Sequence, residues 1–257
     1  MRRSIFLLYG IISYALFLFS FLYAVGFVMN ILAPTTLDGE VLGSFQDSLL
    51  VDLGLLGVFA IQHSVMARKG FKKWWTKIIP VPIERSTYVL LSSICLLALV
   101  YYWRPLGGII WTIENPIWAN VLLFTGVAGW FMVLISTFLI NHFDLFGLRQ
   151  VWMYFQKKEY THLMFRLNSL YKYIRHPLYM GFLIAFWFTP VMSISHLVFS
   201  VMCTGYILVG IKLEEKDMIS TFGKGYEDYK LKTPMLIPMK PKLKETEVKE
   251  IITAINN

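Results

Sequence analysis

The sequence predicts an all-α fold, a polytopic bundle of five to six transmembrane helices, and three observations carry that prediction. Of its 257 residues 16% are charged and 56% hydrophobic, whereas a soluble domain carries about 25% charged residues. The apolar residues gather into stretches long enough to cross a hydrocarbon layer about 30 Å thick. Lysine and arginine concentrate in alternate connecting segments, which marks the loops on the cytoplasmic side of a membrane.

The first stretch, Ile5 to Leu32, follows Arg2 and Arg3. It far exceeds the roughly 7–15 apolar residues of a secretory signal, and no small-residue cleavage site follows, so it reads as a retained helix. Leu49–Met66, Thr87–Trp103 and Pro116–Ile140 have ordinary spanning lengths. The fifth stretch, Leu178–Ile211, would run roughly 51 Å as one helix, too long for a single span. Thr189-Pro190 and Ser193-Ile194-Ser195-His196 interrupt it. It therefore reads as two shorter helices folded into a hairpin, which brings the expected count to six.

Loop charges orient the bundle. Loop 33–48 carries Asp38, Glu40 and Asp47 and no cation, whereas loop 67–86 carries Arg68, Lys69, Lys72, Lys73, Lys77 and Arg85 against Glu84. Segment 141–177 is again basic, with Arg149, Lys157, Lys158, Arg166, Lys172 and Arg175. The asymmetry puts the N-terminus, both basic segments and everything after Ile211 on the cytoplasmic side. The chain reads as one membrane domain over residues 1–238. A polar tail of mixed charge, 239–257, is expected to be solvated or loosely bound to the surface. The net charge of +8 is thus a loop property. No stripe of cations with interleaved aromatics fits a nucleic-acid backbone, so the partner implied is the lipid bilayer and no nucleic acid. Cys95 and Cys203 lie within apolar runs and read as small core residues. No cluster of side chains has the spacing of a metal site.

Two polar stretches stand out against this background. "YKYIRHPLYMG", residues 171–181, gathers Tyr171, Lys172, Tyr173, Arg175, His176 and Tyr179 around Pro177. Proline suits the first position of a helix, where its missing N–H would be unpaired anyway, so His176 becomes the N-cap. The next N–H groups then point out of a helix end that attracts anions. Gly181 permits close approach of another backbone or of a ligand. A basic, aromatic anchor at the membrane boundary has the same composition. In the second stretch, residues 212–238, Glu214 and Glu215 stand at the end of the last apolar helix. Phe222, Gly223, Gly225, Tyr226 and Tyr229 follow, and the run ends at Pro234. Paired carboxylates at an interface can receive an ammonium or ribose hydroxyls, or can simply be a solvated helix end.

Taken together, "RHPLYMG", the hairpin-length apolar run, Glu214-Glu215 and "GKGYEDY" at 223–229 resemble the isoprenylcysteine carboxyl methyltransferase superfamily of membrane methyltransferases. Order and spacing agree over the C-terminal third. The resemblance implies an S-adenosyl-L-methionine site within 171–238, built from Tyr173, Arg175, His176, Pro177, Leu178, Tyr179, Gly181, Glu214, Glu215, Tyr226 and Tyr229. "QHSVMARKGFKKWWTKIIPVPIERSTYVLLSS" at 62–93 and "INHFDLFGLRQVW" at 140–152 look like the methanethiol S-methyltransferase branch, related to nurim and NnrU-type proteins. That branch implies methylation of methanethiol to dimethyl sulfide, and with the loop charges it gives a protein of a bacterial inner membrane with both termini cytoplasmic. Two other acceptors, a prenylated cysteine carboxylate and a phospholipid amine, would each need a lateral opening for a long chain. A non-enzymatic, nurim-like membrane protein would bind no cofactor.

A thiol acceptor reacts as its thiolate, and an alkanethiol is less acidic than a cysteine, whose pKa is about 8.5. A nearby base or electrostatic stabiliser would therefore help. In the orientation above, His63, His142, Asp144, Arg85 and Tyr88 all fall near the cytoplasmic ends of their helices, at the level of His176 and Glu214. They are the candidate catalytic set, with an Asp144–His142 pairing able to fix a tautomer and ready the imidazole for a proton. Each has a plainer reading too: interfacial polar residues for His142 and Asp144, an internal hydrogen bond for His63, an ion pair with Glu84 for Arg85. Asp52 and His196 fall toward the opposite face and stay outside the set. A cytoplasmic site of this kind meets a charged cofactor and a small apolar thiol, and a dry pocket keeps the thiolate poorly hydrated.

Overall fold

The computed structural model describes residues 1–256 except 162, 164, 166 and 240. Arg166, counted above among the cations of segment 141–177, lies outside the described residues. In chain order the elements are α1 (Arg2–Met29), α2 (Phe45–Ala67), α3 (Lys69–Trp75), α4 (Val81–Tyr102), β1 (Ile109–Thr112), α5 (Pro116–Ile140), α6 (His142–Leu145), α7 (Leu148–Phe155), α8 (Pro177–Trp187), β2 (Val191–Ser193), α9 (Ile194–Lys232) and α10 (Glu245–Asn256). A single turn of 3-10 helix, Ser169–Lys172, precedes α8. The 5 helices α1, α2, α4, α5 and α9 are long and apolar enough to cross a membrane. The protein is an all-α polytopic membrane bundle, with a small antiparallel ladder of β1 and β2 added to it.

The chain divides into two compact units, residues 1–113, 142–161 and 191–199 in the first, and 114–141, 162–190 and 200–257 in the second. In the first unit α1 packs on α4, and Tyr9 donates to Thr87 Oγ1 at 3.0 Å. α7 lies on the start of α1, where a Cβ on Gly10 would stand 2.5 Å from the Val151 side chain. Arg3 and Phe6 cover Tyr154 at 5.1 and 5.4 Å. Apolar side chains such as Leu8, Ile12 and Leu22 point outward, as a helix facing lipid requires. At the far end of α2 the buried Asp52 accepts the Arg104 N–H at 2.9 Å.

In the second unit α5 and α8 meet through glycine. A Cβ on Gly181 would come within 2.8 Å of Gly129 O and Val133 N. Small residues let membrane helices approach to backbone contact, so the approach that Gly181 permits is to the α5 backbone. α8 then folds back on α9, with Trp187 Nε1 donating to Thr204 Oγ1 at 2.9 Å and Ser200 Oγ to Phe186 O at 2.8 Å. The expected hairpin is present. Its first arm, however, has 11 residues, about 16 Å of rise, half the hydrocarbon thickness. The described residues therefore hold five helices of spanning length and one short apolar helix, within the expected five to six spans.

α9 breaks at Gly223, whose φ of 53° and ψ of −136° fall where only glycine is at ease. Within the segment expected to be a solvated or loosely surface-bound tail, Glu245–Asn256 folds as α10. Leu243, Val248 and Ile251 are buried against Leu167, Tyr226 and Tyr229, with Ile252 and Ile255 beside them. Val248, Ile251, Ile252 and Ile255 form one apolar face at helical spacing. Gly225 lies against the α10 backbone, where a Cβ would be 2.8 Å from Ile255 N.

Candidate active site

The residues read from the sequence fall into two clusters, one in each unit. In the second unit the peptide before α8 runs beside the chain that follows α9, with Arg175 N–H donating to Pro234 O at 2.9 Å and His176 N–H to Met235 O at 3.1 Å. Tyr229 O–H adds a bond to Tyr171 O at 2.7 Å. α8 begins at Pro177 with His176 as its N-cap, as the sequence predicts. These bonds seat the buried Arg175 and His176 side chains on Glu215.

Glu215 is the hub. Its Oε1 receives Arg175 Nε at 2.8 Å and lies 3.1 Å from His176 Nε2, while its Oε2 pairs with Lys230 Nζ at 2.8 Å. Arg175 Nη1 also donates to Lys230 O at 2.9 Å and to Thr233 O. A carboxylate 5% exposed and held by three nitrogens has little capacity left for a ligand. Glu214, its neighbour, is half-buried and accepts the Tyr179 hydroxyl at 3.0 Å. The two glutamates that the sequence offers as a pair are thus in unlike states.

The remaining members of this set sit around the hub. Tyr226 and Tyr229 are buried under α10, with ring centroids 5.7 Å apart. Burial, and then the Glu214 charge, raise the Tyr171 phenol well above its ordinary range, so it stays neutral. Leu178 is half-buried, and the exposed Tyr173 carries Lys242 over its ring at 5.5 Å. Lys230 was not read from the sequence as part of the site. In a straight helix it would stand about 22 Å from Glu215. The break at Gly223 folds the end of α9 back, and that glycine was the available signal.

The first unit holds the other cluster. His142 opens α6 after Asn141, whose φ of 149° and ψ of 95° turn the chain sharply out of α5. The ring is buried, and its Nε2 lies 2.8 Å from the Tyr14 hydroxyl on α1. Phe146, Phe143 and Tyr14 meet it edge-on at 4.9, 5.4 and 5.7 Å, and Phe17 stacks on Phe146 at 3.7 Å. Burial holds the imidazole below its ordinary pKa, so it is neutral at pH 7 and can accept a proton.

The other candidates shape the surroundings of that ring. Arg85 donates through Nε to Leu145 O at 2.7 Å, and its guanidinium lies 5.1 Å from the Tyr88 ring. Gly147, at φ 87°, packs so tightly that a Cβ would stand 2.7 Å from Ser86 N. The start of α4 therefore clamps the turn that carries His142. The Asp144 carboxylate takes Arg149 Nη1 at 2.9 Å and the Tyr160 hydroxyl at 3.0 Å, while His142 Nε2 faces the Tyr14 hydroxyl. His63 bonds to the Tyr88 hydroxyl at 3.0 Å and Ser92 Oγ at 3.2 Å, and stacks on Phe59 at 5.4 Å. That is the internal hydrogen bonding which was its plainer reading. Sequence reasoning missed Tyr14, because nothing in an apolar helix marks one tyrosine as the partner of a histidine 128 positions away.

Fold and clusters together define a polytopic membrane protein with a carboxylate hub in one unit and a buried neutral imidazole in the other. The chain is 52% identical over 238 residues to the methanethiol S-methyltransferase of Crocosphaera subtropica, covering 93% of each chain. It is 47% identical to that of Mycobacterium tuberculosis, over 93% of this chain and 98% of the relative. The nurim of Xenopus laevis is more distant, at 26% identity over 67% of this chain and 63% of its own length. No family model matches the chain, and no solved structure matches it. The chain belongs to the methanethiol S-methyltransferase family.

Proposed function

We propose that this protein methylates methanethiol to dimethyl sulfide, taking the methyl group from S-adenosylmethionine at the cytoplasmic face of a bacterial inner membrane. The acceptor is the one named for the relatives at 47% and 52% identity. The cofactor reading is carried by one observation, the unlike states of Glu214 and Glu215. Glu215 is occupied as an internal strut. Glu214, half-buried with a tyrosine hydroxyl as its partner, keeps acceptor capacity for an ammonium or a ribose diol. That donor set fits S-adenosylmethionine, which when bound supplies an electrophilic methyl group on its sulfonium.

The roles follow from the contacts. Glu214 and Tyr179 bind the cofactor's polar groups, with Tyr173 and Leu178 beside them. Arg175, His176 and Glu215 hold the wall rigid, and Tyr226 and Tyr229 back it from below. His142 accepts the thiol proton, while Arg85 fixes the turn that carries it. Tyr88 and His63 join α2 to α4, and Asp144 anchors Arg149. Both termini lie in the cytoplasm, following the loop charges.

Headspace detection of dimethyl sulfide from purified protein given S-adenosylmethionine and methanethiol tests this directly, with Glu214→Ala as control. Product from the wild type that disappears in the variant is the expected result. Cofactor binding without product would discard the acceptor and keep the methyltransferase. Absence of both would discard the whole reading.

A further inference from the structure

We propose that Tyr14 is a catalytic residue that relays the thiol proton to His142. The inference rests on the proposed methylation of a thiol and adds a residue to it that no motif marks. Its basis is a contrast of exposure. His142 is 6% exposed and packed against Phe143 and Phe146, with Phe17 stacked on Phe146. A substrate meets almost none of the ring's surface. Tyr14 is half-buried, and its oxygen is 2.8 Å from His142 Nε2. A phenol can donate one hydrogen bond while accepting another. With its proton directed at Nε2, its oxygen lone pairs remain available to a proton donor in the unoccluded direction.

The location agrees with a small neutral acceptor. Tyr14 stands about 14 Å of helix rise into the apolar stretch that begins at Ile5. Tyrosine side chains on a helix lean toward its N-terminus, and His142 follows directly on the end of α5. An alkanethiol partitions into such surroundings without a charge to desolvate. Removing its proton there calls for a neutral acceptor pair in place of bulk water. The phenol bridges that need, since it passes a proton without itself becoming charged.

The step balances as a double transfer. The thiol S–H bond breaks and its proton joins the Tyr14 oxygen. The phenolic O–H bond breaks in the same motion and its proton joins His142 Nε2. The pair from the S–H bond stays on sulfur, leaving a thiolate and an imidazolium, and the imidazolium later loses its proton to solvent. No oxidant or reductant takes part. Phe17, Phe143 and Phe146 do not titrate. The charged groups nearest in the fold are already committed, Arg85 to Leu145 O and Asp144 to Arg149 and Tyr160.

Two measurements on the intact protein test the relay. First, carbon-13 spectra of histidine-labelled protein report ring tautomers, with the His142 signal among the 5 histidines assigned by its loss in His142→Gln. The wild type should carry the His142 proton on Nδ1, and Tyr14→Phe should move it toward Nε2. An unchanged tautomer in Tyr14→Phe, or a wild-type proton on Nε2, would overturn the proposal. Second, Tyr14→Phe and His142→Gln are compared with wild type on methanethiol and on methaneselenol, which is already ionised at neutral pH, with affinity for S-adenosylhomocysteine as the check on folding. Both variants should lose about 100-fold in kcat/KM on methanethiol and at least about ten times less on the selenol. Equal losses on the two acceptors mean a structural role and overturn the relay. A wild type that forms no dimethyl sulfide would sink the proposed function, and the relay with it.

Discussion

Around Glu215 three cationic or protonatable side chains converge on one carboxylate within about 3 Å, and two backbone carbonyls tie the arginine down further. Around His142 a phenol hydroxyl stands at hydrogen-bond distance from Nε2, and the rings of Tyr14, Phe143 and Phe146 meet the imidazole edge-on. The first region is ionic and over-determined. The second is neutral and positioned chiefly by shape. The difference suits their proposed tasks. A wall that must present a fixed surface to a charged cofactor gains from charge-assisted bonds, which are directional. A proton acceptor in apolar surroundings must stay uncharged until it reacts, and a nearby permanent charge would shift its titration away from that state.

The most severe disturbance of the ionic region is Glu215→Ala. It leaves Arg175 buried opposite His176 and Lys230 with no carboxylate among them, and removing one partner of a buried pair costs about 3–5 kcal/mol. Thermal unfolding in detergent should show a large loss of stability, together with loss of cofactor binding. A variant that unfolds at the wild-type temperature would mean that the three nitrogens do not depend on this carboxylate.

The corresponding change in the neutral region is His142→Ala. Turnover should fall about 10²–10⁴-fold, the range of a general base, with affinity for the cofactor kept. The wild-type pH profile sharpens this. Burial disfavours the charged ring, so the folded-state pKa lies below the ordinary imidazole value. The neutral form accepts the proton. Activity should therefore hold through neutral pH and decline only as pH falls through that lowered pKa. Of the groups on neighbouring elements, Tyr14 on α1 faces the ring nitrogen, and Arg85, Asp144 and Arg149 are held in their own bonds. His142→Ala should abolish the acid decline, and an identical decline in the variant would assign it elsewhere.

Glu214→Ala is the intermediate case and separates the two glutamates. A hydrogen bond to a charged group is worth about 1.5–3 kcal/mol, so cofactor affinity should fall by roughly 10–100-fold, with little change in unfolding temperature. Destabilisation matching that of Glu215→Ala would make both glutamates struts and remove the assigned ligand role.

The same contrast explains what could be read from the chain. Spanning helices, the hairpin at Thr189-Pro190 and the N-cap at His176 follow from local composition and turn chemistry, and all three are present. The motif residues Arg175, His176 and Glu215 were legible because charged side chains at a membrane boundary are few and need partners. Lys230 was hidden by assuming a straight helix through Gly223. Tyr14 was hidden because an aromatic in a lipid-facing helix is ordinary, and its partner is fixed only by tertiary packing. The short α8 was overestimated because hydropathy measures an apolar run without fixing where its turn falls. α10 escaped notice because its charges, Glu245, Glu247, Lys249 and Glu250, outweigh its apolar face in composition, although the isoleucine spacing carried the signal.

Asp144→Asn should have the smallest effect of the series. Sequence reasoning gave Asp144 the task of orienting His142, yet its carboxylate is engaged by Arg149, which also bonds to Thr161, and by Tyr160. Its ion pair with Arg149 is about one-fifth exposed on both sides (22% and 19%). Such a pair contributes at most about 1 kcal/mol, and asparagine keeps an oxygen that can still accept from Tyr160 or Arg149. The variant should therefore unfold slightly earlier, with a shift that shrinks further as salt screens the pair in the wild type. Added salt and the substitution should act on the same interaction, so their effects should not sum. Full additivity would place the stabilising role of Asp144 outside its contact with Arg149.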